Sequence, residues 1–213
     1  MKIKILETFF NVNRNLARDL VRKLRARQQA QKTQELRKNK RSDFRRWEKS
    51  SALYSEWDER TIKMATFLYP GSNIIEFGAG NMVLKENLPP NCSYTPSDIY
   101  KRSGDVIVCD LNEPVEIDLS KYDTAVFSGV LEYVYNIDQV FEQLKPFMRY
   151  VVLSYSCKDL SDADRLERGW LSDYSREELE RIFKKHDYEI ITGGQWRKQL
   201  LYSLKQKSYS QCE

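Results

Sequence analysis

The chain has 213 residues, 41% of them hydrophobic, enough for one domain with appendages around a sizeable core. Its formal charge of +4 hides an asymmetry. Residues 1–50 hold 16 Lys and Arg against 5 Asp and Glu, a net of +11, and the remainder holds 19 against 26, a net of −7. Cys92, Cys109, Cys157 and Cys212 lie far apart, with neither disulfide density nor metal-ligand spacing, which suits a reducing cytosol. Glu7, Arg14 and Arg18 stand where a signal peptide needs an unbroken apolar core, and no run of ~18 apolar residues exists. The expectation is a soluble, cytoplasmic protein, with any membrane contact peripheral and on the inner face.

Leu6, Phe9, Phe10, Leu16, Ala17, Leu20, Val21 and Leu24 recur at helical spacing, with Arg14, Arg18, Arg22, Lys23 and Arg25 mostly between them. This pattern predicts an amphipathic helix with a basic polar face. Three uses compete for it. It packs on its own domain or on a second copy in a homodimer, it lies on an anionic membrane through residues 1–24, or, less favoured, it binds nucleic acid. From Arg25 to Lys49 the apolar stripe fades, predicting a solvated helix or partly disordered linker. Residues 1–50 thus read as a basic helical extension to a domain over 51–213. Phe44-Arg45-Arg46-Trp47 interleaves aromatics with arginines, a cluster that either stacks on a ligand or anchors structure.

A second helical pattern over 51–69 places Leu53, Trp57, Met64 and Leu68 on one side, and Pro70-Gly71 ends it. Asn73–Phe77 then reads as a strand running into Gly78-Ala79-Gly80. Glycines directly after a strand let the backbone turn sharply and approach a ligand closely. A short helical segment (Asn81–Leu88) follows, then strands at Ser93–Asp98, Asp105–Cys109 and Asp123–Ser128. Ile137, Val140, Phe141 and Leu144 mark a helix, and Arg149–Ser156 a fifth strand. Ser175 and Glu178 form a capping box for a late helix carrying Leu179, Ile182 and Phe183. Tyr188–Thr192 and Gln199–Lys205 close the pattern as a hairpin connected through Gly193-Gly194. Alternating strands and helices predict an α/β fold, a Rossmann-like, mostly parallel seven-stranded sheet with an antiparallel edge hairpin.

In such a sheet the ligand lies outside the carboxyl ends of the strands. Glu76, Asp98, Asp110 and Ser128 all fall at that edge. Asp98 stands 18 residues beyond Gly80, where a nucleoside fold places its ribose-binding acid. A carboxylate offers acceptors for both ribose hydroxyls and no competing donor. Each acid could instead cap a turn, but three on consecutive strands after a glycine turn point to one site.

Together these motifs resemble the class I S-adenosylmethionine-dependent methyltransferases over residues 71–206. Ile75-Glu-Phe-Gly-Ala-Gly80 resembles their first motif, Ser97-Asp98-Ile99 the acidic end of the second strand, and Cys109-Asp110-Leu111 the pair beside adenine. Phe127-Ser-Gly-Val-Leu-Glu-Tyr-Val134 is similar to the fourth motif of the small-molecule branch, and residues 169–178 resemble the lead into its late helix. The resemblance implies that Phe77, Gly78, Ala79 and Gly80 lie against the methionine part and Glu76 faces its amino group. It further implies Asp98 on the ribose, Ile99 on the adenine face, and Asp110 with the Leu111 amide at the adenine edge. Ser128 and Gly129 would close the pocket under the sulfonium.

Two departures stand out. Met82 replaces the third glycine of the motif, so the turn is expected to be wider or filled by a side chain. Tyr133 replaces the usual histidine, and an ordinary tyrosine, with a pKa near ~10, stays protonated at neutral pH. Methyl transfer then rests on orienting the acceptor, on an acceptor that ionises by itself, or on help from Glu132, Tyr133 or Asp173. His186, the single histidine, is expected to be a packing or surface residue. The acceptor is expected to be a small molecule or glycan, methylated on oxygen or nitrogen. Segment 40–60 and loop 157–174 are expected to supply the lid. The alternatives are a nicotinamide-dependent oxidoreductase, which would need a glycine where Val83 stands, and a non-catalytic adaptor that keeps the fold.

Overall fold

A computed structural model describes residues 2–49, 51 and 53–208, with side chains from residue 17 onward. The side chains of Leu6, Phe9, Phe10, Arg14 and Leu16, and all of Cys212, lie outside the described part. Five helices and seven strands are described: α1 (Lys2–Asn39), α2 (Phe44–Trp47), α3 (Asp58–Ala65), β1 (Asn73–Phe77), β2 (Ser93–Asp98), β3 (Ile107–Val108), β4 (Thr124–Phe127), α4 (Ile137–Leu144), β5 (Tyr150–Tyr155), α5 (Arg176–Lys185), β6 (Tyr188–Trp196) and β7 (Gln199–Gln206). They form one sheet of order β3-β2-β1-β4-β5-β7-β6, with β1 to β5 parallel and β7 antiparallel to both its neighbours.

Side-chain alternation along the strands splits the core into two layers. Ile75, Phe77, Ala125, Phe127, Val151 and Leu153 face α4 and α5, meeting Val140, Phe141, Leu179 and Phe183. Ile74, Val126, Val152 and Leu201 face the other way and meet Met64, Ala65, Leu68 and Leu84. Fully buried aromatics such as Phe141 each contribute roughly 2–3 kcal/mol of transfer free energy. The capping box at Ser175 and Glu178 is present. His186 ends α5, buried, with Nε2 2.9 Å from Asp138 Oδ1.

Several boundaries differ from the sequence reading. The stretch read as a solvated helix or partly disordered linker continues α1 as far as Asn39, helped by the absence of Gly and Pro before residue 70. Its second half is docked. Thr33 is fully buried and donates to the Leu166 carbonyl at 2.8 Å, and Arg37 forks onto the Trp170 carbonyl at 3.1 and 2.8 Å. The 51–69 pattern resolves into a 3-10 turn (Ser55–Trp57) and the two-turn α3. The segment after the glycine turn is 3-10 (Val83–Asn87), and β3 shrinks to two residues. Gly193 and Gly194 lie inside β6, not in the hairpin turn, which falls at Arg197-Lys198. A Cβ on Gly193 would come 3.0 Å from the Leu201 carbonyl, so the glycine answers close strand approach, not a turn. Among the described residues, no helix is long and apolar enough to cross a membrane.

Candidate active site

A cleft opens at the carboxyl ends of β1, β2 and β4, enclosing about 1080 Å³ of space that includes open solvent. Its floor starts at the turn after β1. Gly78 and Gly80 have φ of +72° and +52°, the left-handed region that glycine adopts without strain. Met82 takes the same region at φ +57°, and its N–H closes the turn on the Ala79 carbonyl at 2.7 Å. The missing third glycine therefore leaves the turn tight, with the strain carried by Met82.

The turn is locked to β2. Ala79 N–H donates to the Ser97 carbonyl and Gly80 N–H to Asp98 Oδ2, both at 2.9 Å. Asp98 Oδ1 accepts from the Tyr100 amide at 3.3 Å, and Arg102 pairs with Oδ2 at 3.2 Å. Asp110, beyond β3, uses Oδ1 for Ser42 Oγ at 2.7 Å and the Asn112 amide at 3.0 Å. Asp110 Oδ2 has no bond among the described residues.

All eleven residues that the resemblance placed around the donor line this one cleft: Glu76, Phe77, Gly78, Ala79, Gly80, Asp98, Ile99, Asp110, Leu111, Ser128 and Gly129. The Phe77 ring points away from it, stacked 5.0 Å from Phe127 in the core. Glu76 is buried and accepts a 2.5 Å hydrogen bond from Tyr94. Burial pushes its carboxyl up to about 8, outweighing the Tyr94 bond that favours ionisation.

Arg60 was not foreseen. It is buried, and its guanidinium lies against Ser128 and Gly129, the residues that the resemblance placed under the sulfonium. Arg60 donates to Ser128 Oγ at 3.1 Å, to the Ser128 carbonyl at 3.0 Å and to Gln199 at 3.0 Å. Burial lowers its pKa from the usual arginine range, with the fields of Glu132, Tyr133 and Glu76 opposing. Gly129, at φ +67°, must be glycine here, because a Cβ would lie 2.3 Å from the guanidinium. The sequence held one signal. Arg60 and Thr61 fall at the core-facing positions between Trp57 and Met64, where a polar pair needs a polar partner.

The roof comes from segment 42–61 and from Gly169 and Leu171. Trp47 packs edge-on against Tyr133 at 4.7 Å, with Arg46 over both rings at 5.1 and 5.3 Å. The Phe44–Trp47 cluster is thus both an anchor and a cavity wall. Arg46 also donates to the Arg168 carbonyl at 2.8 Å, and Arg102 donates to the Trp47 carbonyl. Asp43 is buried in the lining. Its Oδ1 pairs with Lys32 at 2.6 Å and caps α2, whereas its Oδ2 has no partner among the described residues.

Of the three residues read as catalytic, only Tyr133 lines the cleft. Burial pushes its phenol up, beyond what Arg46 offsets, so it stays protonated at neutral pH. Glu132 is buried behind it, accepting from the Ser156 amide at 2.9 Å and Gln199 at 3.3 Å. Burial raises its pKa as well, the Arg60 field only partly countering. Both sit in a 3-10 turn (Leu131–Tyr133), where consecutive side chains diverge by about 120°, so one faces the cleft and the other the core. Asp173 is half-exposed and paired with Arg165 at 2.6 Å outside the lining. The two carboxylates are therefore not placed to touch an acceptor.

The model of the family described as a methyltransferase domain matches residues 17–192. The chain belongs to that methyltransferase family. No curated protein matches the methyltransferase, but solved structures do. One is a Burkholderia thailandensis 1,6-didemethyltoxoflavin N1-methyltransferase bound to 1,6-didemethyltoxoflavin and S-adenosylhomocysteine. It is 13% identical at a TM-score of 0.55, covering 72% of this chain and 79% of that one. Another is an O-methyltransferase from neocarzinostatin biosynthesis, bound to S-adenosylmethionine and 2-hydroxy-5-methyl naphthoic acid. It is 12% identical at a TM-score of 0.52, covering 71% and 54%. A third is an S-adenosylmethionine-dependent methyltransferase of Thermotoga maritima, 10% identical at a TM-score of 0.53, covering 70% and 89%. At these identities the likeness is one of fold, the class I methyltransferase sheet.

Proposed function

We propose that the protein transfers a methyl group from S-adenosylmethionine to an oxygen or nitrogen of a small-molecule or glycan acceptor. The observation that carries this reading is the convergence of the 78–80 glycine turn, Asp98 and Asp110 in one cleft beneath an aromatic roof. The residues present fit the donor. Asp98 and Asp110 are acceptor-only groups for ribose hydroxyls and an adenine amino group, and Asp110 Oδ2 is unengaged. Ile99 and Leu111 line the same end. Arg60 is the one cation in the lining among the described residues, suited to a carboxylate, and Glu76 to the amino group beside it.

When bound, S-adenosylmethionine supplies an electrophilic methyl on a sulfonium. The chain's part is to aim the acceptor's lone pair and keep water out, for which proximity and orientation can supply several kcal/mol. Trp47, Tyr133 and Leu171 form the wall for a flat ring or sugar face. Tyr133, held protonated, positions by hydrogen bonding and removes no proton. Asp43 Oδ2 is the roof carboxylate oxygen that we assign to the acceptor's O–H or N–H. Support for the acceptor class comes from the two neighbours crystallised with small molecules.

Thermal-shift measurements with S-adenosylmethionine, S-adenosylhomocysteine and NADH test the reading, since a ligand of the folded state raises the melting temperature by mass action. The first two are expected to shift it and NADH is not. A shift with NADH alone would return the oxidoreductase reading. No shift with any of the three would leave a fold without the activity.

A further inference from the structure

α1 meets the body through one face and offers the opposite one to the outside. Its docked face is set by Thr33, bonded to the Leu166 carbonyl, and by Arg37, bonded to the Trp170 carbonyl. Earlier in the helix, every residue from 17 to 28 is exposed except the half-buried Ala26. Leu20, Val21 and Leu24 are 60%, 46% and 49% exposed. At about 100° per residue, Leu24 lies about 180° around the helix from Thr33, Leu20 about 140° and Val21 about 120°. The methyltransferase body cannot cover this stripe while Thr33 stays docked, so packing on its own domain is excluded as its use.

The flanks of the stripe are cationic. Arg27 lies about 60° from Leu24, and Lys23 and Arg25 about 100° to either side. Residues 17–28 carry Arg18, Arg22, Lys23, Arg25 and Arg27 against the single acid Asp19. Pairing this helix with its copy would bring two such cationic flanks together, which disfavours a dimer through the stripe. An anionic bilayer satisfies both faces at once, because leucines enter the acyl boundary while long Lys and Arg chains reach the headgroups. The spacing continues in the sequence at Phe9, Phe10 and Leu16.

We propose that the exposed face of α1 around Leu20, Val21 and Leu24 docks the enzyme on anionic membrane surfaces, with the helix lying in the interface. The cleft then works at a bilayer, because the far end of the same helix holds loop 166–170 next to the roof. The contact is peripheral, in keeping with the lack of a spanning helix among the described residues.

The test is co-sedimentation of the full chain with vesicles of phosphatidylcholine alone or with added phosphatidylglycerol. Binding is expected to the anionic vesicles and not the neutral ones, and to fall sharply between low and high salt, because exposed charges are screened over about 8–10 Å. The Leu20→Gln/Leu24→Gln double variant alters exposed side chains only and is expected to keep its melting temperature. Its binding should fall about tenfold or more, as two buried leucines are lost. Wild-type indifference to anionic vesicles would overturn the proposal. So would binding that survives the double variant unchanged. A wild-type dimer that the double variant turns into monomer, with vesicles ignored, would assign the stripe to a second copy.

Discussion

Floor and roof of the cleft are held in different ways. The floor is four strand ends in adjacent register, tied to one another by backbone ladders and by short links such as Gly80 to Asp98. The roof is irregular chain fastened from a distance. Thr33 and Arg37 reach carbonyls 133 residues away, and Arg46 reaches one 122 residues away. Strand ends cannot move without breaking the sheet, whereas the roof rests on a few arginine-to-carbonyl bonds at the surface of the loop.

The largest test of this contrast lies where roof and floor meet. Gly129→Ala would press a Cβ onto the Arg60 guanidinium at 2.3 Å, at a backbone φ of +67°. We expect a loss of about 2–4 kcal/mol, from the left-handed backbone and from displacing the guanidinium's hydrogen bonds to Ser128 and Gln199, read by urea or thermal unfolding. Gly104→Ala, with nothing within 4 Å and no positive φ, should be nearly silent. Equal melting of both variants would mean that Arg60 is not pinned on the floor.

Asp98→Asn keeps an acceptor for Gly80 but loses the charge. S-adenosylmethionine should bind about 10- to 100-fold more weakly by calorimetry, the scale of a charge-assisted hydrogen bond. Unchanged affinity would take Asp98 out of the donor site.

Glu76 gives a pH signature of the rigid floor. Its folded pKa of about 8 lies above the unfolded value of 4.5, so the folded state holds the extra proton between them. The stability this confers is complete below the unfolded value and lost as pH rises through about 8. Glu76→Gln removes the titration. The variant's melting temperature should therefore gain on the wild type from about pH 5 to pH 8 and level off above that. A gap that stays constant over that range would show that Glu76 is already ionised.

The smallest effect belongs to the roof. Ser42→Ala removes the bond donated to Asp110, which keeps the Asn112 amide, and the bond accepted from Asn112 Nδ2, which keeps the Tyr133 carbonyl. About 1 kcal/mol or less is expected in global stability, with amide exchange near residues 40–47 speeding up. Slowed or unchanged exchange there would argue that Ser42 does not fasten the roof.

The same contrast explains what could be read from the sequence. The succession of strands, the glycine turn and the acids at 98 and 110 follow from local patterns, because each strand carries its own apolar run and its own terminal polar group. The roof's composition was legible only as the segments that had to supply it. Arg60 carries no local mark of its partners, which show only where Gly129 makes room for its guanidinium. Glu132 was misread because a tight 3-10 turn sends it to the opposite side from Tyr133, and spacing alone does not fix that rotation. Gly193-Gly194 looked like a turn because glycine in a strand and glycine in a hairpin leave the same mark.

Arg102 spans the two halves, paired with Asp98 on the floor and donating to the Trp47 carbonyl on the roof. A roof that lifts to exchange ligands would break this one latch and loosen the acid assigned to the donor. Ligand exchange is then expected to be slower than methyl transfer. Rapid-mixing experiments should show a burst of product in the first turnover, followed by a slower steady rate set by the release of a single guanidinium.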